Sequence, residues 1–153
     1  MKTFAIFYEA KRALGVSAKV KRLPKGVERL PDGTYKGVRY KRLIYALDPK
    51  LKIKHRIDGP ASSWPSYEEW YLNGQRHRVD GPAIDTPWYK AWYLNGRLHR
   101  IDGPAIVSVI TKEWWVEGAQ LTEEDYNNLM KRLSTLTDDS DREATIAAAT
   151  MFD

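Results

Sequence analysis

One heptapeptide, His-Arg-(Ile/Val)-Asp-Gly-Pro-Ala, occurs three times and constrains this chain more than any other feature. Its copies begin at His55, His77 and His99, a period of 22 residues. A second motif keeps the same period, and its copies in segments 69–74, 91–96 and 113–118 read Glu-Trp-Tyr-Leu-Asn-Gly, Ala-Trp-Tyr-Leu-Asn-Gly and Glu-Trp-Trp-Val-Glu-Gly. Self-similarity at a fixed period indicates stacked supersecondary units that bury a shared core. The repeat therefore predicts a scaffold and a surface.

The Asn-Gly dipeptides predict tight hairpin turns, because a type I′ turn needs positive φ at both central residues. A two-residue loop at Asn73-Gly74 places Leu72 opposite Gln75 and Tyr71 opposite Arg76. The next pair outward is Trp70 with His77, and the second copy likewise pairs Trp92 with His99. We assign these four Trp and His residues, together with Asp80 and Asp102, a structural role in the repeat.

The Asp-Gly-Pro segment is expected to end each returning strand. Glycine supplies an unusual backbone angle, aspartate accepts hydrogen bonds from amides two residues on, and proline belongs at a strand boundary. Asp58, Asp80 and Asp102 are therefore interpreted as turn residues.

Residues 1–42 are predicted to form a basic region of helix and strands that packs on the repeat sheet. The spacing of apolar residues predicts an amphipathic helix over Phe4 to Leu14. Strands are predicted at Val16–Leu23, Thr34–Tyr35 and Val38–Tyr45, and the turn signals between them are Pro24-Lys25-Gly26 and Pro31-Asp32-Gly33. Residues 43–121 form the repeat region, which opens with a degenerate copy where Asp48-Pro49-Lys50-Leu51 replaces the Asn-Gly turn.

The third copy ends the array, since Leu121 stands where the register expects a histidine. Residues 122–136 are predicted to form a capping helix with Thr122 as its N-cap; its apolar stripe is Tyr126, Leu129, Met130 and Leu133. Residues 137–153 form an acidic tail, in which a capping box at Ser140-x-x-Glu143 precedes an alanine-rich run. The predicted fold is mainly β within the α+β class: an antiparallel hairpin-repeat sheet flanked by N- and C-terminal helices.

The chain has no cysteine, which excludes disulfides and thiolate metal sites and fits a reducing compartment. Its N-terminal apolar stretch is too short for a signal-peptide core, and no segment is apolar enough to cross a membrane. We therefore expect a location in the cytoplasm and no membrane partner. The oligomeric state is left open.

The positive charge is concentrated in one part of the chain. Residues 1–56 hold 16 Lys/Arg against 4 Asp/Glu, whereas residues 57–153 hold 9 against 16. A basic region of this kind suggests nucleic acid as a partner, and it can equally face the chain's own acidic half or present the polar side of half-buried strands to water. The nucleic-acid candidates are Lys19, Lys21, Arg22, Arg39, Lys41 and Arg42.

The repeated histidines do not predict a catalytic or metal site. Equivalent positions in successive hairpins lie about 10 Å apart, whereas a zinc ion needs ligands about 2 Å from one centre. We expect no cofactor, no metal and no enzymatic activity. An enzyme built on a His–Asp pair would require His and Asp from different repeats to face one pocket.

The repeats instead offer tyrosine, tryptophan and arginine, which are enriched at protein-binding hot spots. Trp70, Trp92 and Trp114 are expected in the core. The protein-binding candidates are Tyr71, Arg76, Tyr93 and Trp115 on the other face of the hairpins, with Trp64 and Trp88 in the looser connections.

The pattern Trp-Tyr-Leu-Asn-Gly-x-x-His-Arg-x-Asp-Gly-Pro-Ala resembles the degenerate MORN-type repeats of bacteriophage and some giant-virus proteins. The resemblance covers residues 43–130 and implies an antiparallel hairpin sheet and a phage accessory origin, but no activity. The leading hypothesis is a non-catalytic binding protein, made in the cytoplasm of a host bacterium, that engages or inhibits a host protein. The alternative is a nucleic-acid-binding protein that uses the basic N-terminal half.

Overall fold

The computed structural model describes residues 22–151, in which fourteen short antiparallel strands precede two helices. The strands are β1 Val27–Arg29, β2 Tyr35–Arg39, β3 Arg42–Ala46, β4 Ser62–Trp64, β5 Tyr67–Glu69, β6 Tyr71–Leu72, β7 Gln75–Arg76, β8 Ile84–Asp85, β9 Tyr89–Ala91, β10 Tyr93–Leu94, β11 Arg97–Leu98, β12 Ile106–Ser108, β13 Lys112–Val116 and β14 Ala119–Leu121. Two helices follow, α1 Glu123–Leu133 and α2 Asp139–Thr150. The predicted class, mainly β with C-terminal helices, is confirmed. The predicted helix at Phe4 to Leu14 and most of the strand at Val16–Leu23 lie outside the described residues.

The chain divides into two compact units between Arg76 and His77. In the first unit, β1 to β5 pair in sequence order, each antiparallel to the next, and β6 pairs with β7. Tyr35, Ile44, Ala46 and Leu51 form a buried core cluster of this unit. The predicted turns are confirmed: the Val27 N–H donates to the Pro24 carbonyl at 3.1 Å, and Gly33 N–H donates to Leu30.

The segment predicted as one strand, Val38–Tyr45, is instead interrupted by a hairpin turn. Arg39 pairs with Arg42, and the two residues between them, Tyr40 and Lys41, have φ of 52° and 63°. The prediction was wrong because neither residue carries the glycine or asparagine signal that normally marks such a turn.

The degenerate first copy is confirmed as a hairpin with a longer loop. Ala46 pairs with Lys54, and the His55 N–H donates to the Tyr45 carbonyl at 3.0 Å. The buried Asp48 closes the loop by accepting the N–H groups of Lys50, Lys52 and Ile53 at 2.9, 2.9 and 2.6 Å. Asp48 therefore replaces the Asn-Gly dipeptide with a side chain that satisfies the loop amides.

The repeats, defined here as residues 55–76, 77–98 and 99–120, follow the predicted register. Tyr71 pairs with Arg76 and Leu72 with Gln75; in the second unit, Tyr93 pairs with Leu98 and Leu94 with Arg97. Trp114 pairs with Leu121, as expected for the end of the array. Asn73 and Gly74 have φ of 52° and 82°, the values that a type I′ turn requires.

Each repeat also contains a hairpin that the sequence did not predict. It joins β4 to β5 in the first repeat, β8 to β9 in the second and β12 to β13 in the third. The turns of these hairpins, at residues 65–66, 87–88 and 109–110, carry no Asn-Gly signal. Only the first two lie in segments that were interpreted as looser connections.

In the second unit the strand order is β8, β9, β12, β13, β14, all antiparallel, and β10 pairs with β11. Helix α1 buries Tyr126, Leu129 and Leu133 against Val116, so its predicted stripe is confirmed. The hydroxyl of Thr122 accepts the Asp125 N–H at 3.1 Å, which confirms the N-cap.

The predicted capping box at Ser140 is wrong, since α2 begins two residues earlier. Asp138 is the N-cap, and its carboxylate accepts the N–H groups of Ser140 and Asp141 at 2.8 and 3.3 Å. Aspartate and serine are comparable N-cap residues, so their type alone did not distinguish between the two positions; Asp138 has the extended backbone of an N-cap. Neither helix between residues 22 and 151 is long and apolar enough to cross a membrane.

Candidate interaction surfaces

Each of the three histidines accepts a hydrogen bond from the backbone of the tight turn in its own repeat. The Nδ1 atom of His55 accepts the Asn73 N–H at 3.0 Å. His77 accepts the Asn95 N–H and His99 accepts the Glu117 N–H, both at 3.2 Å. The donor is in each case the first residue of the turn, 18 positions further on. Because Nδ1 accepts this bond in His55 and His77, the proton of the neutral ring is on Nε2 there; the Nδ1 of His99 also lies 3.0 Å from the Glu117 carboxylate.

The arginine after each histidine explains the Asp-Gly-Pro segment. The Nε atoms of Arg56, Arg78 and Arg100 donate to Asp58, Asp80 and Asp102 at 2.9, 3.0 and 2.7 Å. These bonds lower the pKa values of the three carboxyl groups below their ordinary value. The aspartates therefore bind the preceding arginine, which corrects the prediction that they accept from amides two residues on.

In each copy, the end of the arginine side chain lies close against the glycine of this segment. A Cβ atom at Gly59 would lie 2.7 Å from the Arg56 Cζ, and one at Gly81 would lie 2.9 Å from the Arg78 Cζ. Positive φ occurs at Gly103, with a value of 153°, but not at Gly59 or Gly81. The predicted backbone angle is therefore wrong for the first two copies, where close side-chain approach takes its place.

The aromatic candidate Tyr71 belongs to a charged cluster around the buried Glu69. Glu69 is 4% exposed and binds the Lys54 Nζ at 2.7 Å and the Arg76 guanidinium at 3.3 Å. The Tyr71 hydroxyl donates to the same carboxylate at 3.3 Å, and its ring lies 4.5 Å from the Lys54 Nζ. Burial raises the pKa of Glu69, but the two cations outweigh it, so the net shift is downward. Lys54 and Arg76 thus neutralise the buried carboxylate, and Tyr71 hydrogen-bonds to it.

The remaining candidates of the same face, Tyr93 and Trp115, are half-buried. The Trp115 Nε1 donates to the Glu113 carboxylate at 2.9 Å. Trp70, Trp92 and Trp114, which were predicted in the core, are half-buried instead. Trp114 packs against the α1 cluster, and the Arg100 guanidinium lies 3.8 Å from the Trp92 ring.

Trp64 is the last residue of β4 and Trp88 occupies a tight turn, so neither lies in a loose connection. Trp64 stacks on Tyr67 at 3.6 Å between centroids, and the Arg42 guanidinium lies 3.8 Å from its ring. Trp88 is 66% exposed, whereas the other five protein-binding candidates are half-buried.

Trp88 projects from a turn that is closed by its neighbours. The hydroxyl of Thr86, a buried residue, accepts the Tyr89 N–H at 2.8 Å and donates to the Tyr89 carbonyl at 2.9 Å. Pro87 fixes its own φ in the turn. The indole is thereby presented to solvent on a rigid support.

The third repeat presents two aliphatic side chains from the equivalent turn. Val109 and Ile110 are 80% and 87% exposed, and the Ser108 hydroxyl accepts the N–H groups of Ile110 and Thr111 at 3.2 and 2.9 Å. Because β8, β9, β12 and β13 alternate in direction, this turn and the Trp88 turn leave the same edge of the second unit. Neighbouring tips are about 10 Å apart. The sequence could have revealed them, since positions 109 and 110 lie one period after Pro87-Trp88.

The basic candidates that the structure describes are exposed. Arg39, Lys41 and Arg42 lie at the β2–β3 tip, and Arg22 lies at the start of the described chain. Lys19 and Lys21 lie outside the described residues. Tyr40, which the sequence places between these basic residues but which was not one of the named candidates, is 83% exposed at the centre of this tip.

One groove of the second unit brings a histidine and an aspartate from different repeats into the same lining. It has a volume of about 590 Å³ and includes Asp80, His99 and Asp102. However, His99 Nδ1 is bonded to Glu117, and each aspartate is bonded to its own arginine. The lowered carboxyl pKa values also disfavour proton abstraction near neutral pH. Within residues 22–151, no group of three or more His, Asp or Glu side chains is placed to hold a metal ion.

The chain matches no protein-family model, no curated protein and no solved structure.

Proposed function

We propose that this chain is a non-catalytic β-repeat binding protein that acts as a bacteriophage accessory protein, binding and inhibiting a host protein of defence or nucleic-acid processing. The phage origin and the host partner rest on the resemblance of the repeat motif. The observation that carries the binding role is the exposure of Trp88, Val109 and Ile110 on closed turns at one edge of the second unit.

Rigid exposed apolar side chains favour binding because little conformational entropy is lost when they enter a partner pocket. Tryptophan is among the residues most enriched at binding hot spots. The three side chains contribute nothing to the buried core of their own unit, so folding gives no reason for their apolar character. The expected partner presents a concave apolar surface that accepts the Trp88 indole, with the aliphatic pair beside it.

The test compares the wild type with Trp88→Ser and with the double variant Val109→Ser and Ile110→Ser. Tagged proteins are incubated in bacterial lysate, bound proteins are quantified, and the affinity for the purified partner is measured by calorimetry. We expect Trp88→Ser to weaken binding at least tenfold, in line with a hot-spot loss of about 2 kcal/mol, and the double variant to weaken it less.

Val79→Ser is the matched control, because Val79 is 82% exposed and lies on an Asp-Gly-Pro loop rather than at a tip. It should leave binding unchanged, and all variants should unfold at the wild-type temperature. A partner retained equally by Trp88→Ser, or no stoichiometric partner at all, contradicts the proposal.

A further inference from the structure

The β2–β3 tip of the first unit has residues that its backbone disfavours. Tyr40 and Lys41 occupy both central positions of a type I′ turn with φ of 52° and 63°. Asparagine and glycine are the preferred residues there, and a larger L-residue is disfavoured in the left-handed region because its Cβ lies too close to the following carbonyl oxygen. The chain uses Asn-Gly at the equivalent geometry in Asn73-Gly74 and Asn95-Gly96. The β2–β3 tip thus keeps a strained pair of residues, although the repeats of the same chain use the unstrained Asn-Gly pair. Strain that is retained in this way is typical of a functional position.

The charge at the tip is uniform. Arg39 and Arg42 are directly opposite each other across the hairpin, Lys41 is at its end, and all three are exposed. Like charges directly opposite destabilise a strand pair. A bound anion removes this repulsion.

The tip also presents aromatic faces next to the charges. The Tyr40 ring is 83% exposed and lies 5.3 Å from the Arg39 Cζ. Behind it, Arg42 lies on the Trp64 ring, which stacks on Tyr67 with an interplanar angle of 15°. Arg42 is therefore held by the aromatic stack, whereas Arg39 and Lys41 are available to phosphates.

We infer that this tip binds single-stranded nucleic acid, with a base stacked on Tyr40 and backbone phosphates on Arg39 and Lys41. An exposed ring beside cations is the arrangement that single-strand binders use, because every base has a π-face and every nucleotide a phosphate. The bases of a duplex are already stacked on each other and are not available to Tyr40. This site lies in the first unit and is independent of the protein-binding tips.

The test measures the fluorescence anisotropy of two labelled single-stranded oligonucleotides, oligo-dT and oligo-U, at several salt concentrations. Each is about 20 nucleotides long, which is enough for about one to five binding sites. The wild type should bind both, more weakly as salt rises. The double variant Tyr40→Asn and Lys41→Gly converts the turn to the Asn-Gly pair used elsewhere in the chain. It should fold at least as stably as the wild type and bind at least tenfold more weakly.

The single variants separate the two contributions. Tyr40→Asn should weaken binding and leave the salt dependence unchanged, since no charge is removed. Lys41→Gly should reduce the slope of log affinity against log salt by about 0.7, the value for one phosphate contact on a single strand. Lys52→Gly, which removes an equally positive exposed side chain from the Asp48 loop, and Trp88→Ser should leave both quantities unchanged.

Three results would overturn the inference. One is the absence of binding at low salt, and another is wild-type affinity in the Tyr40→Asn and Lys41→Gly variant. The third is equal or tighter binding to a duplex of the same length or to anionic lipid vesicles, which would show that the tip recognises negative charge alone.

Discussion

The first and second repeats form the same hydrogen bonds but bury different side chains. In both, a histidine Nδ1 accepts the N–H of the turn asparagine, and an arginine binds the aspartate two residues on. At the paired positions of the unpredicted hairpin, the first repeat buries Ser62 opposite Glu69, where the second buries Ile84 opposite Ala91. At the tip, Ser66 in the first corresponds to Trp88 in the second.

This difference separates the residues that define the repeat from those that distinguish its copies. The shared bonds fix the backbone, so the variable positions are free to carry a buried charge in one copy and an exposed indole in another. We make four predictions that test this separation, in order of decreasing expected effect on stability.

Glu69→Ala should lower the free energy of unfolding by about 2–3 kcal/mol. Removing one partner of a buried ion pair costs about 3–5 kcal/mol, and the loss is reduced because Lys54 and Arg76 can reach water. Urea denaturation measures it. Glu68→Ala, on the exposed side of the same strand, should change stability by less than about 0.5 kcal/mol. Equal losses in the two variants would contradict a buried role for the Glu69 carboxylate.

Substitution at the strained β2–β3 tip should instead raise the free energy of unfolding. Tyr40→Asn with Lys41→Gly should raise the free energy of unfolding by about 1–2 kcal/mol, because it relieves positive φ at two large residues. The reciprocal exchange at Asn95 and Gly96, to Tyr and Lys, should cost a similar amount. Chemical denaturation of both variants checks the sign, and a loss of stability in the first would show that the tip side chains stabilise the fold.

Gly59→Ala and Gly81→Ala should cost about 1 kcal/mol each, because each displaces an arginine from its aspartate. The cost should be the same in the two repeats, since the skeleton is shared. Double-mutant cycles with Arg56→Ala and Arg78→Ala measure the coupling. If a glycine substitution destabilises the protein equally when the arginine is replaced by alanine, the requirement for glycine comes from the backbone instead.

The smallest effect concerns pH. Burial lowers the pKa of His55 below its ordinary value, so His55 binds a proton less readily in the folded chain than in the unfolded chain. The stability contributed by neutral His55 is present above its unfolded pKa and is lost as the pH falls through that value toward the lowered one. His55→Asn keeps an acceptor near Nδ1 but does not titrate, so its stability should fall less than that of the wild type between pH 7.5 and pH 5.5 (about one unit either side of the ordinary histidine pKa). Parallel denaturation curves at the two pH values check this, and identical losses would contradict it.

Periodicity and turn chemistry predicted the class of fold, the Asn-Gly register and the N-cap at Thr122, because these depend on local sequence. The second hairpin of each repeat escaped prediction, since Pro65-Ser66, Pro87-Trp88 and Val109-Ile110 lack the Asn-Gly signal, and the proline of the first two is absent from the third. The Tyr40-Lys41 turn escaped for the same reason. Which aromatics are exposed could not be predicted either: Tyr71 and Trp88 are both aromatic residues of the repeat, but only the contacts around Glu69 and Thr86 determine that one is covered and the other is not.

The histidine link also has a consequence for synthesis of the chain. Its two ends are 18 residues apart, so a repeat has all the atoms of its closing bond once its own turn has left the ribosome. At translation rates of about 5–20 residues per second, a repeat emerges roughly every one to four seconds, far longer than a hairpin needs to form. Each repeat can therefore form its own histidine bond before the next one is made, whereas the pairing of β9 with β12 waits for the third repeat.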